Sequence, residues 1–531
     1  MLCILLALPL LGVFGAWLVP DANSLALLRH QASTILPGYA LTSLLLAVGV
    51  GAGVALLGGA TAAAVTLFEF PGRRLLTWAL LLPLAMPAYV LAYASTDFLQ
   101  YSGPLQTGLR GLTGAEGPLW PDVRSLPGAV LLFTLALYPY VYLLTRGALL
   151  ERGLHLMEAA RVLGAGLAQR ILTVALPLAR PALAAGVALA LMETLADYGV
   201  GSYFGLATFT TGIYKAWLSM DDRIAAAQLA TLLMAVVAVL LWVEQRAQSR
   251  LRYASGRGAV RGREARPVRL CGHRAMLAVV LCATPVVLGF VVPVAVLLHG
   301  VWREARFGEF GLPWARFLGW AWTSLQLATL SALAAVALAM LIGFVLRSRP
   351  RGVARPLARL VSLGYAVPGA VIAVGLLGPV GWVQAAAPGS AFAGWVTAGI
   401  TGSIGGLLYA YLVRFSAVAL QSVEAGYARI PQSFDDTART LGASSWRLFA
   451  GVHAPLLTRS ALAAALLVFV DVMKELPATL VLRPFDSDTL AVVAYQLARD
   501  ERLAEAALPS IAIVVVGLIP VLLLSRAMRE R

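Results

Sequence analysis

The feature that most constrains this 531-residue chain is a series of about twelve apolar runs, each long enough for the roughly 20-residue helix that crosses a bilayer core. In hydrocarbon every backbone N–H and C=O must be satisfied within the protein, and a single continuous run achieves that as an α-helix. The runs lie near 1–20, 39–67, 75–99, 127–148, 182–200, 223–243, 276–300, 319–346, 360–384, 394–420, 460–482 and 507–525. With 60% hydrophobic and 13% charged residues, a water-soluble globule could not hide so much apolar surface. The expected fold class is an all-α membrane protein of about 12 transmembrane helices. The first run lacks a basic segment before it, and no small-residue cleavage site stands out before Asp21, so it reads as a retained helix. Cys3, Cys271 and Cys282 form no metal-binding pair and read as packing residues.

The net charge of +15 is explained by topology rather than by nucleic acid. Taken alternately, one set of connections holds 29 of the 41 basic residues, including nine arginines from Arg246 to Arg274. The opposite set, with Arg29, Arg110, Arg124, Lys215, Arg306 and Arg483, is poor in them although its loops are no shorter overall. Positive charge is retained on the cytoplasmic side, which puts the first set and both termini there.

The chain is also duplicated. Thr42-Ser43-Leu44 recurs as Thr323-Ser324-Leu325 and Pro87 as Pro368, both at a separation of 281. The segment Glu158–Leu178 matches Asp436–Leu456 at a separation of 278, with eight of 21 positions identical. The 281 register is then expected to return, pairing Met192 with Met473, Leu195 with Leu476 and Glu193 with Lys474. The organisation predicted is a first six-span half at 1–243, an Arg-rich cytoplasmic linker at 244–275 near anionic head groups, and a second half at 276–531.

Each half carries a cytoplasmic loop that reads as helix, turn, helix, at 154–177 and 431–455. Gly164 and Gly442 can end the first helix of each in a left-handed turn, and Asp435 and Asp436 suit a helical first turn. The order Glu158-Ala159-Ala160, Gly164, Val174, Leu176-Pro177 resembles the EAA loop of ATP-binding-cassette importer permeases. In the second half Ala438, Gly442, Val452 and Pro455 match the pattern, whereas Asp436, Thr437 and Ala454 depart from it. The stretches 135–149, 191–217 and 471–498 extend the resemblance to the ferric-iron branch, whose members fuse two six-span halves.

That resemblance implies a type I importer fold and one cytoplasmic ATPase docked at each loop, two copies in all, with ATP bound on those partners. It also implies ferric iron as cargo, brought by a periplasmic or extracellular binding protein to a bacterial inner membrane and moved by alternating access. Thiamine, sulfate and polyamine permeases share the superfamily, and an ion-coupled secondary transporter remains a rival reading.

Enzymatic chemistry is not apparent. Lys215 and Lys474 are the only lysines, and neither follows the glycine-rich approach of a phosphate-binding loop. The five histidines have no metal-ligand spacing, and no resident cofactor or metal is expected. Charges inside the spans point to a polar interior instead. Glu193 and Asp197 lie four apart and are expected on one helical face, and Asp471, Lys474 and Glu475 cluster in the eleventh run. These five are candidates for the translocation pathway or its gate. Lys474 has two readings: a local pair with Asp471 three residues away, or a partner for Glu193 of the other half. Tyr138, Tyr140, Tyr142, Tyr409 and Tyr411 are expected in an interfacial belt. Gly49-x3-Gly53 and Gly402-x3-Gly406 are expected to allow close helix packing.

Overall fold

A computed structural model describes residues 2–17, 33–150, 154–220, 222–255, 267–308, 311–348 and 354–529. The described chain is helical apart from one two-residue strand pair, Phe68–Glu69 running parallel to Val268–Arg269. Among the described residues ten helices are long and apolar enough to span a membrane, and an eleventh span results if a pair bent by 96° is counted as one. The difference from twelve lies at the start of the chain, where the described residues 2–17 form a helix over Leu2–Gly12 and one tight turn over Val13–Trp17; 18–20 of that run lie outside the described residues. The linker arginines Arg257, Arg261, Arg263 and Arg266 lie outside the described residues.

The bends have a common cause. Pro87 and Pro368, 281 apart, each N-cap a helix, Ala88–Leu99 and Gly369–Ala386. Proline has no N–H to continue the preceding helix and forces the residue before it out of the α region. Met86 (φ −102°, ψ 115°) and Val367 (φ −78°, ψ 126°) are accordingly extended, each after a short 3₁₀ turn.

Two compact units are formed, and each draws on both sequence halves. One comprises Met1–Ser33, Gly212–Met234 and Pro313–Gln496; the other comprises Thr34–Thr211, Ala235–Leu312 and Leu497–Arg531. In the first unit Pro9 and Gly12 lie against the Gly369–Ala386 helix: a Cβ on Gly375 would come within 2.0 Å of the Pro9 carbonyl oxygen. In the second, the Leu36–Leu67 helix lies close along Leu126–Ala148. Cβ atoms on Gly49 and Gly53 would meet Val130 at 2.8 Å and Thr134 at 2.3 Å, the close packing expected there. Gly402 and Gly406 do something else. Gly402 (φ 64°) makes a left-handed turn, and Gly406 sits on the Ile400 carbonyl of its own loop, so the second motif shapes a helix start.

Both units repeat the same local bonds. The Phe209 N–H donates to Ser43 Oγ (3.2 Å) in one and the Leu490 N–H to Ser324 Oγ (2.9 Å) in the other, both pairs in the 281 register. Ser125 and Ser403, 278 apart, each N-cap a span and accept from the N–H of Gly128 and Gly406.

Three of the five tyrosines, Tyr138, Tyr142 and Tyr411, are core residues rather than members of a belt, whereas Tyr140 and Tyr409 are half-buried. Tyr138 and Tyr142 are fully buried and donate to the carbonyls of Leu80 (2.9 Å) and Thr77 (2.7 Å). The break before Pro87 ends a helix there and leaves those carbonyls without intrahelical donors, and the phenols supply them. Tyr411, also buried, hydrogen-bonds Thr479 Oγ1 at 2.6 Å.

Candidate functional site

The two helix-turn-helix loops, at 154–177 and 431–455, are built alike. In the first, a helix over Leu154–Val162 carries Glu158, Ala159 and Ala160. In the second, Gln432–Thr440 follows Pro431 and carries Asp435, Asp436 and Ala438. Each helix ends in the same motif. The Gly164 N–H donates to Arg161 O and the Ala165 N–H to Ala160 O, both at 3.0 Å; the Gly442 N–H donates to Arg439 O and the Ala443 N–H to Ala438 O, also at 3.0 Å. Gly164 (φ 85°) and Gly442 (φ 79°) occupy the left-handed position that this closure requires, where a Cβ would be strained.

After a second short helix the chain enters a wide turn, Ile171–Ala175 in the first loop and Phe449–His453 in the second. The N–H of Leu176 and of Ala454 reach back five residues there, to Ile171 and Phe449. Pro177 and Pro455 follow at the second position of the spanning helices Leu176–Ala196 and Ala454–Met473.

Glu158 and Asp436 are both exposed, and Ala160 and Ala438 both half-buried. Among the described residues Glu158 makes only a long, exposed contact with Arg161 (3.8 Å). Beside these acids the loops expose large apolar side chains at matching places: Leu156 (46%) and Phe434 (49%), Leu163 (86%) and Leu441 (82%). Exposed apolar residues repeated at equivalent positions of two loops mark a surface for protein or membrane contact.

The residue before each acid turns inward, into two different environments. Met157 sits in an apolar cluster with Leu67, Leu149, Ala175 and Ala179. Asp435 forms a bidentate ion pair with Arg347 (Nε to Oδ2 2.7 Å, the second terminal nitrogen to Oδ1 3.0 Å) and lies 3.0 Å from His453 Nε2. Burial alone would raise the Asp435 carboxyl, but the hydrogen bonds from Arg347 and His453 hold it below the usual carboxylate range. Sequence reasoning placed Asp435 only in a helical first turn and missed Arg347 and His453 as its partners. The signal was available in part: Met157 and Ala175 stand where Asp435 and His453 stand, so at these two positions only the second loop carries titratable groups.

The intramembrane charges also separate by role. The Leu176–Ala196 helix ends before Asp197, which therefore does not share its face with Glu193; the Asp197 carboxylate accepts the Val200 N–H (2.7 Å) and caps the short helix Gly199–Tyr203. Glu475 follows the end of Ala454–Met473 and accepts from the N–H groups of Ala478 (2.9 Å) and Thr479 (3.1 Å), capping Pro477–Leu482. Arg414 adds a buried ion pair to Glu475 at 3.0 Å. Lys474 pairs with Asp471 at 2.9 Å, as the local reading has it.

Because the spans run unbroken from Leu176 and Ala454, the 278 register continues through them to the breaks, and the three extra residues fall in the following loop, before Leu490. Glu193 is thus the counterpart of Asp471 and not of Lys474. The symmetry that linked Glu193 with Lys474 is removed. Among the described residues Glu193 has no hydrogen bond or ion pair, and no group of three or more His, Cys, Asp or Glu side chains could hold a metal ion.

A duplicated helical membrane protein with two equivalent loops, each with a helix closed by a glycine turn and with exposed acid and apolar groups, has the organisation of a transport permease. The chain belongs to the family described as binding-protein-dependent transport system inner membrane component, which matches it twice, at residues 55–253 and 335–530. It is a multi-pass inner-membrane subunit, non-catalytic, whose class implies ATPase and binding-protein partners. It is similar to the Fe(3+)-transport system permease protein FbpB 2 of Haemophilus influenzae, 25% identical over 532 residues, covering 99% of this chain and 97% of that one. Shorter likenesses run to a putative 2-aminoethylphosphonate transport system permease protein of Salmonella choleraesuis (30% identical; 35% of this chain, 67% of the relative). A molybdenum transport system permease protein of Escherichia coli is 28% identical over 33% of this chain and 77% of its own.

Proposed function

We propose that this permease carries ferric iron, delivered by a binding protein on the outer face, into the cytoplasm by alternating access. The observation that carries the cargo assignment is the likeness to an Fe(3+)-transport permease through both halves, 99% of one chain against 97% of the other. The partial likenesses to phosphonate and molybdenum permeases favour an oxyanion as the second reading.

Two copies of an ATPase dock one at each loop, against Glu158, Ala159, Ala160 and Gly164 in the first and Asp436, Ala438 and Gly442 in the second. Pro177 and Pro455 lead from these loops into the spans. Both termini lie in the cytoplasm, consistent with the arginine-rich connections. The matched exposed side chains Leu156, Phe434, Leu163 and Leu441 support docking at both loops.

Along the pathway, Asp197 and Glu475 hold the broken helices, Asp471 and Lys474 neutralise one another, and Glu193 is the carboxylate available to a cationic cargo. Uptake of radiolabelled ferric iron, measured in a strain lacking the gene and in that strain carrying wild-type or Glu193→Gln permease, tests this. Deletion should abolish uptake and the variant should lower it without loss of protein from the membrane. Intact iron uptake with loss of molybdate or 2-aminoethylphosphonate uptake would replace iron with an oxyanion.

A further inference from the structure

The inward-facing position of the coupling loop is the same place built from two kinds of chemistry. In the 278 register Met157 corresponds to Asp435, Ala175 to His453, Leu149 to Tyr427 and Ile171 to Phe449; in the 281 register of the Trp314–Ser348 helix, Thr66 corresponds to Arg347 and Ala63 to Phe344. Of the first set, Leu149, Met157 and Ala175 lie in the apolar cluster, Ala63 and Ile171 pack on it, and Thr66 is buried. In the second set a single guanidinium gathers four pieces of chain.

Arg347 uses all of its donors. Nε and one terminal nitrogen hold the two Asp435 oxygens; that nitrogen also donates to Pro431 O (3.0 Å), and the other donates to Tyr427 O (3.1 Å) and Ile430 O (2.9 Å). Five N–H bonds are the full capacity of an arginine. The carbonyls belong to the end of the Ile404–Tyr427 helix and the approach to the coupling helix, Asp435 to the coupling helix itself, and Arg347 to the end of Trp314–Ser348. His453 brings in the start of the next span. Its Nε2–H reaches Asp435 Oδ1, its ring lies between Tyr427 and Phe344 (centroids 5.3 and 5.4 Å away), and its buried Nδ1 has no partner.

A bidentate, fully subscribed guanidinium fixes both distance and orientation, whereas an apolar contact resists separation but tolerates sliding. We propose that Arg347, Asp435 and His453 form a rigid joint that passes displacement of the second coupling loop directly to the Trp314–Ser348 and Ala454–Met473 helices, while the first loop acts through a compliant apolar contact at Met157. These three are positioning residues, which act through the helices they join. The proposal rests on the loops being the ATPase docking sites.

The test uses the whole transporter, with ATPase and loaded binding protein, in lipid nanodiscs. Asp435→Asn and Arg347→Gln should co-purify with the ATPase and keep basal hydrolysis, but lose about ten-fold or more of the stimulation that the loaded binding protein gives. Met157→Leu, which keeps the apolar joint, should change stimulation less than two-fold. A triple variant, Arg347→Thr with Asp435→Met and His453→Ala, rebuilds the first half's chemistry in the second and guards against simple misfolding. It should regain thermal stability and assembly without regaining stimulation. Full stimulation in Asp435→Asn, or in the triple variant, overturns the rigid joint. If a cysteine placed at Leu441 fails to cross-link to the ATPase in the wild-type background, the docking reading itself fails, a result distinct from either.

Discussion

Asp197 and Glu475 stand 278 positions apart and do the same work: each carboxylate accepts the backbone N–H three residues on, Val200 at 2.7 Å and Ala478 at 2.9 Å, and so starts a short helix after a break in a span. A helix start inside a bilayer leaves N–H groups that water cannot reach, and a carboxylate is the strongest local acceptor for them. Two of the five intramembrane charges are thereby accounted for by backbone satisfaction. The break itself matters to transport, since discontinuous helices are where irregular backbone lines a membrane protein's interior.

Removing the second of these caps should be severe. Glu475 has a side chain 1% exposed and its partner Arg414 is 11% exposed. Glu475→Ala takes the paired carboxylate from a buried guanidinium and the acceptor from two N–H groups, a loss expected at about 3–5 kcal/mol. Asp197→Ala loses one capping bond and should cost about 1 kcal/mol. Thermal unfolding in detergent should rank them Glu475→Ala well below Asp197→Ala, with Glu475→Leu/Arg414→Leu recovering part of the loss.

Gly164→Ala and Gly442→Ala should act locally. Each forces a Cβ into the left-handed region, about 1–2 kcal/mol for an L-residue, at a position where nothing lies within 4 Å, so the cost is conformational and not a clash. Transport should fall in both variants while the unfolding temperature of the spans stays within a few degrees; limited proteolysis of the loop reports the change.

Asp435 sets a direction for acid sensitivity. Its folded carboxyl lies below the usual range because Arg347 and His453 donate to it. A carboxyl of depressed folded pKa contributes stability that is present above its unfolded pKa, near 3.9, and lost as pH falls through the lower folded value. Between pH 7 and 5 the wild type should therefore hold this contribution unchanged, and it should decline below about pH 4. Asp435→Asn should be less stable than wild type at pH 7, with the difference narrowing below pH 4; a gap that is constant with pH would remove the ion pair from the account.

Much of this architecture was legible because it is local. Long apolar runs report spans directly, Pro87 and Pro368 mark breaks, and Gly164 and Gly442 mark helix ends within a few residues. What was not legible depends on residues far away in sequence. Asp435 and Asp436 look equivalent in a first turn, and the partner that lets a carboxylate occupy the inward position, Arg347, lies 88 positions earlier. Tyr138 and Tyr142 resemble interfacial tyrosines until the carbonyls freed by the break before Pro87 come into reach. Met192 and Met473 suggested a return to the 281 register, but a helix cannot absorb three residues without a visible bulge. The shift had to wait for a loop, and Glu193 falls opposite Asp471.

The exposed apolar residues give a test of docking that leaves the fold untouched. Leu163 and Leu441, 86% and 82% exposed, are the largest outward apolar side chains at the two helix ends, and Leu156 and Phe434 accompany them. Replacing an exposed leucine with serine removes little packing, so stability should change by about 0.5 kcal/mol or less. If an ATPase surface covers these residues, each substitution removes apolar burial worth about 1.5–3 kcal/mol when complete, a ten-fold or larger fall in affinity. Leu163→Ser and Leu441→Ser should each weaken retention of the ATPase on immobilised permease, and the double variant should lose it. Because the second loop is the one held by Arg347, Leu441→Ser should also reduce stimulated hydrolysis more than Leu163→Ser does. Equal effects on stimulation, with equal loss of retention, would mean that the two loops transmit alike despite their different anchors.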